Sequence, residues 1–257
     1  MWRPVKQNLY SVKIRSYNPW MRKPERVAAR SRSRRAASVR AGRKLRAAAA
    51  EDTPYHHGAL RDALLQAAER VLERDGLAGL TLRAVAREAG VSHAAPTHHF
   101  GDLTGLVSEL AAIVFRQFNA AMADACTPDM PYPAKGLARA RAYIGYAKAH
   151  PGMYGLMFRT ERLDYSRPSL HEAAEASFGG LASAIAASRH EQIEKEALTL
   201  DQAAAIARAW SLVHGFTMLM LDGRLEDILN RLPAGTTVEA LLDSMLKLAM
   251  MRPPSSS

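Results

Sequence analysis

The chain contains a single cysteine, Cys126. One thiol excludes an intramolecular disulfide and points to a reducing, cytoplasmic compartment. With no electropositive setting to activate it, the thiol reads as buried and inert. Long apolar runs are missing too. The longest uncharged one, Ala209 to Leu221, has thirteen residues with His214 inside it, short of the ~20 needed to span a bilayer, so no membrane segment is expected. There is no nucleophile-elbow pattern, no Gly-rich phosphate loop and no metal-ligand spacing. Those absences remove the usual marks of an enzyme, and no catalytic residue, metal or cofactor is expected. Acid is nearly absent from residues 1–50, where fifteen Lys and Arg face Glu25 alone.

That asymmetry changes how the net charge of +10 is read. Residues 51–257 hold twenty basic against twenty-four acidic residues, a net −4. The sequence pI near 10.0 therefore describes the leading segment, and any nucleic-acid contact by the folded part must come from local basic patches. With 257 residues and 48% hydrophobic content, the chain can bury a real core.

Residues 1–53 are too basic and too poor in apolar groups to offset the entropy of ordering, as in Arg30-Ser-Arg-Ser-Arg-Arg35. Disorder is expected, with a frayed helix over 39–50. Three readings fit this composition: a basic arm with salt-sensitive affinity for phosphate, an organellar transit peptide, or a mistranslated leader ahead of a start near Val27, Val39 or Leu45. A short disordered tail is expected over 252–257.

From residue 54 the pattern turns helical. Leu60, Leu64, Ala68, Val71 and Leu72 recur at helical spacing, and Gly76 is expected to stop the run as a left-handed cap. Thr81 is suited to N-cap a second helix that buries Leu82, Val85, Ala86 and Ala89 and ends at Gly90. Ser92 is expected to cap a third. Ala94 and Ala95 would let that helix approach the second, with His93, Thr97 and His98 facing outward and Phe100 and Leu103 pointing inward. Pro96 falls about a turn in, where backbone donors still lack partners. Two short helices joined at a glycine turn are the build of a helix-turn-helix reader of the DNA major groove.

The runs Tyr55-His-His-Gly-Ala-Leu-Arg61 and Gly76-Leu-Ala-Gly-Leu-Thr-Leu-Arg-Ala-Val-Ala-Arg-Glu-Ala-Gly-Val-Ser-His-Ala-Ala-Pro96 resemble, in order and spacing, the DNA-binding domain of the tetracycline-repressor (TetR) family. The resemblance implies that Thr81 and Arg83 meet the DNA backbone and that residues 92–99, including Ser92, His93, Thr97, His98 and His99, form the recognition helix. Tyr55 and His56 at the start of the first helix are counted among the DNA-binding candidates, and His56 and His57 would lie against phosphate there or simply in solvent. Thr97 stands where the family commonly has Tyr, and Leu103 where it commonly has Lys. Each change removes a phosphate contact and implies weaker binding, or binding steeper in pH where His98 or His99 substitutes when protonated. A metal reading of His56, His57, His98 and His99 fails on geometry, because adjacent helical side chains point about 100° apart.

A long helix from Leu103 to about Ala125 carries Leu106, Leu110, Val114, Phe118 and Met122 on one stripe. After a break at Pro128, Pro131 and Pro133, helices are expected over 135–149, 151–159, 168–188, 201–222 and 237–250, with a solvated loop or helix end over 189–197. Residues 103–251 thus form a second, helical domain behind a reader of residues 54–102, and the fold class is all-α. Tyr146-Ala-Lys-Ala-His-Pro-Gly-Met-Tyr-Gly-Leu-Met-Phe158 and Trp210-Ser-Leu-Val-His-Gly215 resemble the C-terminal region of a TetR subgroup named for its Trp, His and Gly.

Met153, Tyr154, Met157, Phe158, Trp210, His214 and Met218 could line an apolar effector pocket with a few polar tips, or be plain core. The last two helices carry more apolar surface than a small core needs, so two copies are expected to pair through them, as in TetR relatives. The resemblance implies a repressor that binds a palindromic operator in double-stranded DNA as a homodimer and is released by a small apolar effector. It further implies targets such as its own gene or neighbours for efflux or metabolism. The alternatives are a partner-binding helical protein with a weakened reader and, with least support, an enzyme.

Overall fold

The computed structural model describes residues 55–250. The segments expected to be disordered, 1–53 and 252–257, lie outside the described residues, as do the side chains of Tyr55 and His56. The described residues belong to one compact unit, and every regular element among them is helical, as expected.

α1 spans Tyr55–Gly79 and buries Leu64, Ala68, Val71 and Leu72. Gly76 does not end it. The glycine makes a kink with φ 67 and ψ −178, after which the helix resumes. A Cβ there would meet nothing within 4 Å, so the backbone angle and not crowding calls for glycine. α2, Leu82–Glu88, is capped as expected: the Thr81 hydroxyl accepts from the Ala84 amide at 3.1 Å. Gly90, at φ 68, turns the chain into α3, Ala94–Phe100.

Ser92 does not cap α3. His93 takes the N-cap place, neither side chain caps the helix, and only the Ser92 carbonyl reaches Ala95 at 3.0 Å. Ala95 packs on the core as expected but Ala94 is exposed, because the helix starts later and turns that position out. Pro96 and Phe100 hold α3 down.

α4, Leu103–Asp124, starts at Asp102, whose carboxylate accepts from the Gly105 amide at 2.7 Å. It is touched by α1, α3, α5, α6 and α7. α5, Tyr132–Ala149, begins three residues earlier than expected. Pro133 sits in its first turn, where a missing N–H costs nothing, so it opens the helix and does not break it. α6 is Pro151–Met157, followed by a 3₁₀ turn Thr160–Arg162 and α7, Pro168–Arg189. α8 is Leu200–Leu221, opened by a capping box of Thr199 and Gln202. α9, Glu226–Leu229, was not expected, and α10 is Val238–Met250.

Two buried clusters result. The larger runs without interruption from α1 through Val85 of α2 and Phe100 of α3 into α4, α6 and α7. The smaller joins α5, α8, α9 and α10 through Ala140, Ile144, Phe216, Leu225, Leu242 and Leu246. Cys126 is half-buried and not fully so, its Sγ 3.7 Å from the Lys135 carbonyl. α8 is, among the described residues, the helix long and apolar enough in composition to cross a bilayer. It exceeds the uncharged run counted in sequence because Asp201 and Arg208 lie within it, and it packs against α5 and α7.

Candidate functional site

α3, the expected reader, is a short helix with one face in the core and one in solvent. Ser92, His93, Thr97 and His98 are exposed, and His99 is half-buried with its ring 6.2 Å from that of Phe100. Thr81 and Arg83 are exposed at the start of α2. The Thr81 oxygen is taken by its cap, which leaves its hydroxyl proton free to donate. Tyr55 and His56 open α1. Leu103 is half-buried against the larger core, so this position supplies packing and no charge.

Of the residues expected to sense a ligand, the structure brings together Tyr154, Phe158, Trp210 and His214. The His214 Nδ1 lies 2.9 Å from the Tyr154 hydroxyl, and the Phe158 and His214 ring centroids are 4.4 Å apart. Trp210 stacks edge-on to His214 at 6.3 Å. A residue that sequence reasoning missed completes the cluster. The Tyr143 hydroxyl is 3.1 Å from the same Nδ1 and accepts from Tyr154 at 3.2 Å. Tyr143 lies on α5, 71 positions from His214, and local periodicity holds no sign of that meeting.

Burial pushes the Tyr143 hydroxyl up to about 12, pushes Tyr154 up further, and lowers His214. All three groups are therefore neutral near pH 7. The cluster is a ring of uncharged donors and acceptors walled by aromatic faces. Met153 and Met157 are not part of it: they are buried in the larger core, because α6 turns that face toward α1 and α4. Met218 is 39% exposed and points away from the core.

α6 also touches α1. The Glu73 carboxylate on α1 accepts from the amides of Gly152 at 3.2 Å and Met153 at 3.1 Å, in the first turn of α6. This charge-assisted pair suits a helix N-terminus, where backbone donors lack partners. Tyr154 follows directly. One seven-residue helix thus contacts α1 through Glu73 and α8 through His214. Glu73 was not legible as a contact residue, since it reads in sequence as a solvated charge.

The sequence pattern described as "Bacterial regulatory proteins, tetR family" matches residues 64–110, and "Tetracyclin repressor-like, C-terminal domain" matches 137–247. The chain belongs to the tetracycline-repressor family. It is a DNA-binding transcriptional regulator of that family. A solved structure of a protein of unknown function from a Rhodococcus species is 32% identical, with a TM-score of 0.59, covering 76% of this chain and 98% of that one. The TetR family transcriptional regulator PfmR from Thermus thermophilus is 16% identical with a TM-score of 0.51, covering 74% and 99%. A tetR family regulator from a Shewanella species is 17% identical with a TM-score of 0.53, covering 74% and 97%. The latter two share the fold with this TetR chain. No curated protein matches it.

Proposed function

We propose that this regulator is a repressor that binds a palindromic duplex as a homodimer and releases it when a small apolar effector occupies the C-terminal half. The observation that carries the reading is α3: a seven-residue helix held by buried Pro96 and Phe100 while Ser92, His93, Thr97 and His98 turn to solvent. These four, with His99, Thr81, Arg83, Tyr55 and His56, are assigned to DNA. The reader is residues 54–102 and the sensor residues 103–251.

The dimer reading rests on apolar surface that one copy leaves uncovered. Trp210, Met218 and Leu219 on α8 are 38%, 39% and 44% exposed, and Leu248 on α10 is 68% exposed. A second copy would cover them in a four-helix bundle and place two recognition helices about one DNA turn, ~34 Å, or somewhat more apart. We assign the chain to the Trp-His-Gly subgroup on Trp210, His214 and Gly215.

The effector site is assigned to Tyr143, Tyr154, Phe158, Trp210 and His214. Neutral polar groups among aromatic faces suit an apolar ligand with one or two hydrogen-bonding atoms. Such a ligand acts only by preferring the conformation whose reader is misplaced. The path through α6 and Glu73 gives it a physical route.

The test is selection of duplexes from random DNA by the full chain at about 0.1 M salt, since affinity depends on salt. A palindrome with half-sites about one turn apart is expected. Folded protein that enriches no sequence would overturn the reading.

A further inference from the structure

The last carbonyl of α3 is held from outside the reader. Arg167, the residue before α7, donates from Nη2 to the Phe100 carbonyl at 3.2 Å. Carbonyls at a helix C-terminus have no intrahelical partner, so this bond fills a vacancy that every short helix has. The α4 backbone closes over it. A Cβ on Gly105 would lie 2.0 Å from the Phe100 oxygen and 2.5 Å from Arg167 Nη2, so only glycine permits the contact.

One turn along α4, Glu109 gathers the surrounding groups. Arg61 of α1 pairs with it at 2.6 Å, Ser169 of α7 donates at 3.0 Å, and Arg167 Nη1 lies at 3.6 Å. The Arg61 guanidinium also sits 5.5 Å over the Phe100 ring. Phe100 is therefore gripped by its ring from α1 and by its carbonyl from α7, with Glu109 behind both. The buried Arg167 Nε has no hydrogen-bond partner, its nearest acid oxygen being Asp164 at 3.7 Å. The side chain as a whole is 32% exposed, so only Nε lacks water as well as a partner, while Nη2 is committed to the Phe100 carbonyl and Nη1 faces Glu109.

We infer that Arg167 is a positioning residue for the recognition helix, fixing the pose of α3 through the Phe100 carbonyl and thereby tying DNA recognition to the placement of α7. This rests on the DNA-reading function of α3. A slide of α7 along α4 by a fraction of an ångström stretches a 3.2 Å bond past the limit of hydrogen bonding and frees the C-terminal end of the reader.

The experiment compares wild type, Arg167→Met, Arg167→Lys and Gly105→Ala as full chains on two probes: a duplex enriched by the wild type from random DNA, and a scrambled duplex of equal length. Arg167→Met is expected to weaken binding to the enriched duplex by about tenfold, the worth of one charge-assisted hydrogen bond. Binding to the scrambled duplex and its salt slope stay as in wild type, because phosphate contacts are untouched. Gly105→Ala follows Arg167→Met, and Arg167→Lys recovers part of the loss. Equal losses on both duplexes, or none, would overturn the inference.

Hydrogen exchange on the free proteins supplies a reading without DNA. Residues 94–101 exchange faster in Arg167→Met while residues 64–72 keep their protection. A uniform loss of protection would mark Arg167 as a general stabiliser, and unchanged exchange would remove the anchor. If the wild type enriches no duplex, the DNA-reading function fails on its own arm, and exchange still decides whether Arg167 holds α3.

Discussion

His214 carries its Nδ1 between two tyrosine hydroxyls, and its charged form is disfavoured by burial. The unfolded chain takes up a proton near pH 6.5, while the folded chain resists until a lower pH. Between those two points the unfolded state binds more protons, so stability falls as pH falls. The contribution is complete above the unfolded value and is lost on acidification through that window. Thermal melts of wild type and His214→Phe from pH 8 to pH 5 are expected to converge as pH drops, because the variant lacks this slope. Parallel curves would show that the imidazole titrates alike in both states. Tyr143 and Tyr154 do not enter this window, since burial raises them away from it.

At the scale of the element, the short helices depend on their ends. α2 has seven residues, and its Thr81 cap satisfies one of few amide donors outside the helix ladder. Thr81→Ala is expected to cost about 1 kcal/mol, read as a lower denaturant midpoint with an unchanged slope, and Thr81→Ser restores most of it.

Such features were legible in the sequence because they are local. Thr81, Gly90, the apolar faces of α1 and α4, and the α5-to-α8 order all follow from spacing within a few turns. The failures have local causes too. Gly76 carries a positive φ as expected, but its extended ψ bends the helix where a left-handed cap would end it. Pro133 falls where proline is free. The contacts that build the sites were not legible, because they join residues far apart: Tyr143 to His214, Glu73 to Met153, and Arg167 to Phe100, 67 positions away. Charged residues show no periodicity that would set such partners apart from solvated ones.

At the scale of the whole molecule, the described residues form two buried clusters of unequal completeness. The larger is closed within one copy, whereas the smaller, in α5, α8, α9 and α10, sits behind exposed Leu219 and Leu248. A charge at Leu219 would have to be desolvated for two copies to meet. Leu219→Glu is expected to yield monomer in sedimentation at micromolar concentration, and to bind an enriched palindrome at least tenfold more weakly, since two half-sites no longer act together. A variant that sediments as the wild type does would place the dimer contact elsewhere.

The larger cluster also bears on how regulators of this shape can be recombined. Leu64 and Val71 of α1, Phe100 of α3 and Leu110 of α4 share one interior with Met153, Leu156 and Leu170. Joining this reader to another regulator's sensor at residue 103 would cut through that interior, setting side chains shaped for one set of neighbours against another. A working hybrid must carry the inward faces of α4, α6 and the start of α7 along with the DNA-reading helices. If Ser92, His93, Thr97 and His98 read DNA as proposed, new operator preferences are better grafted there, since these residues are exposed and a change leaves the shared interior as it is.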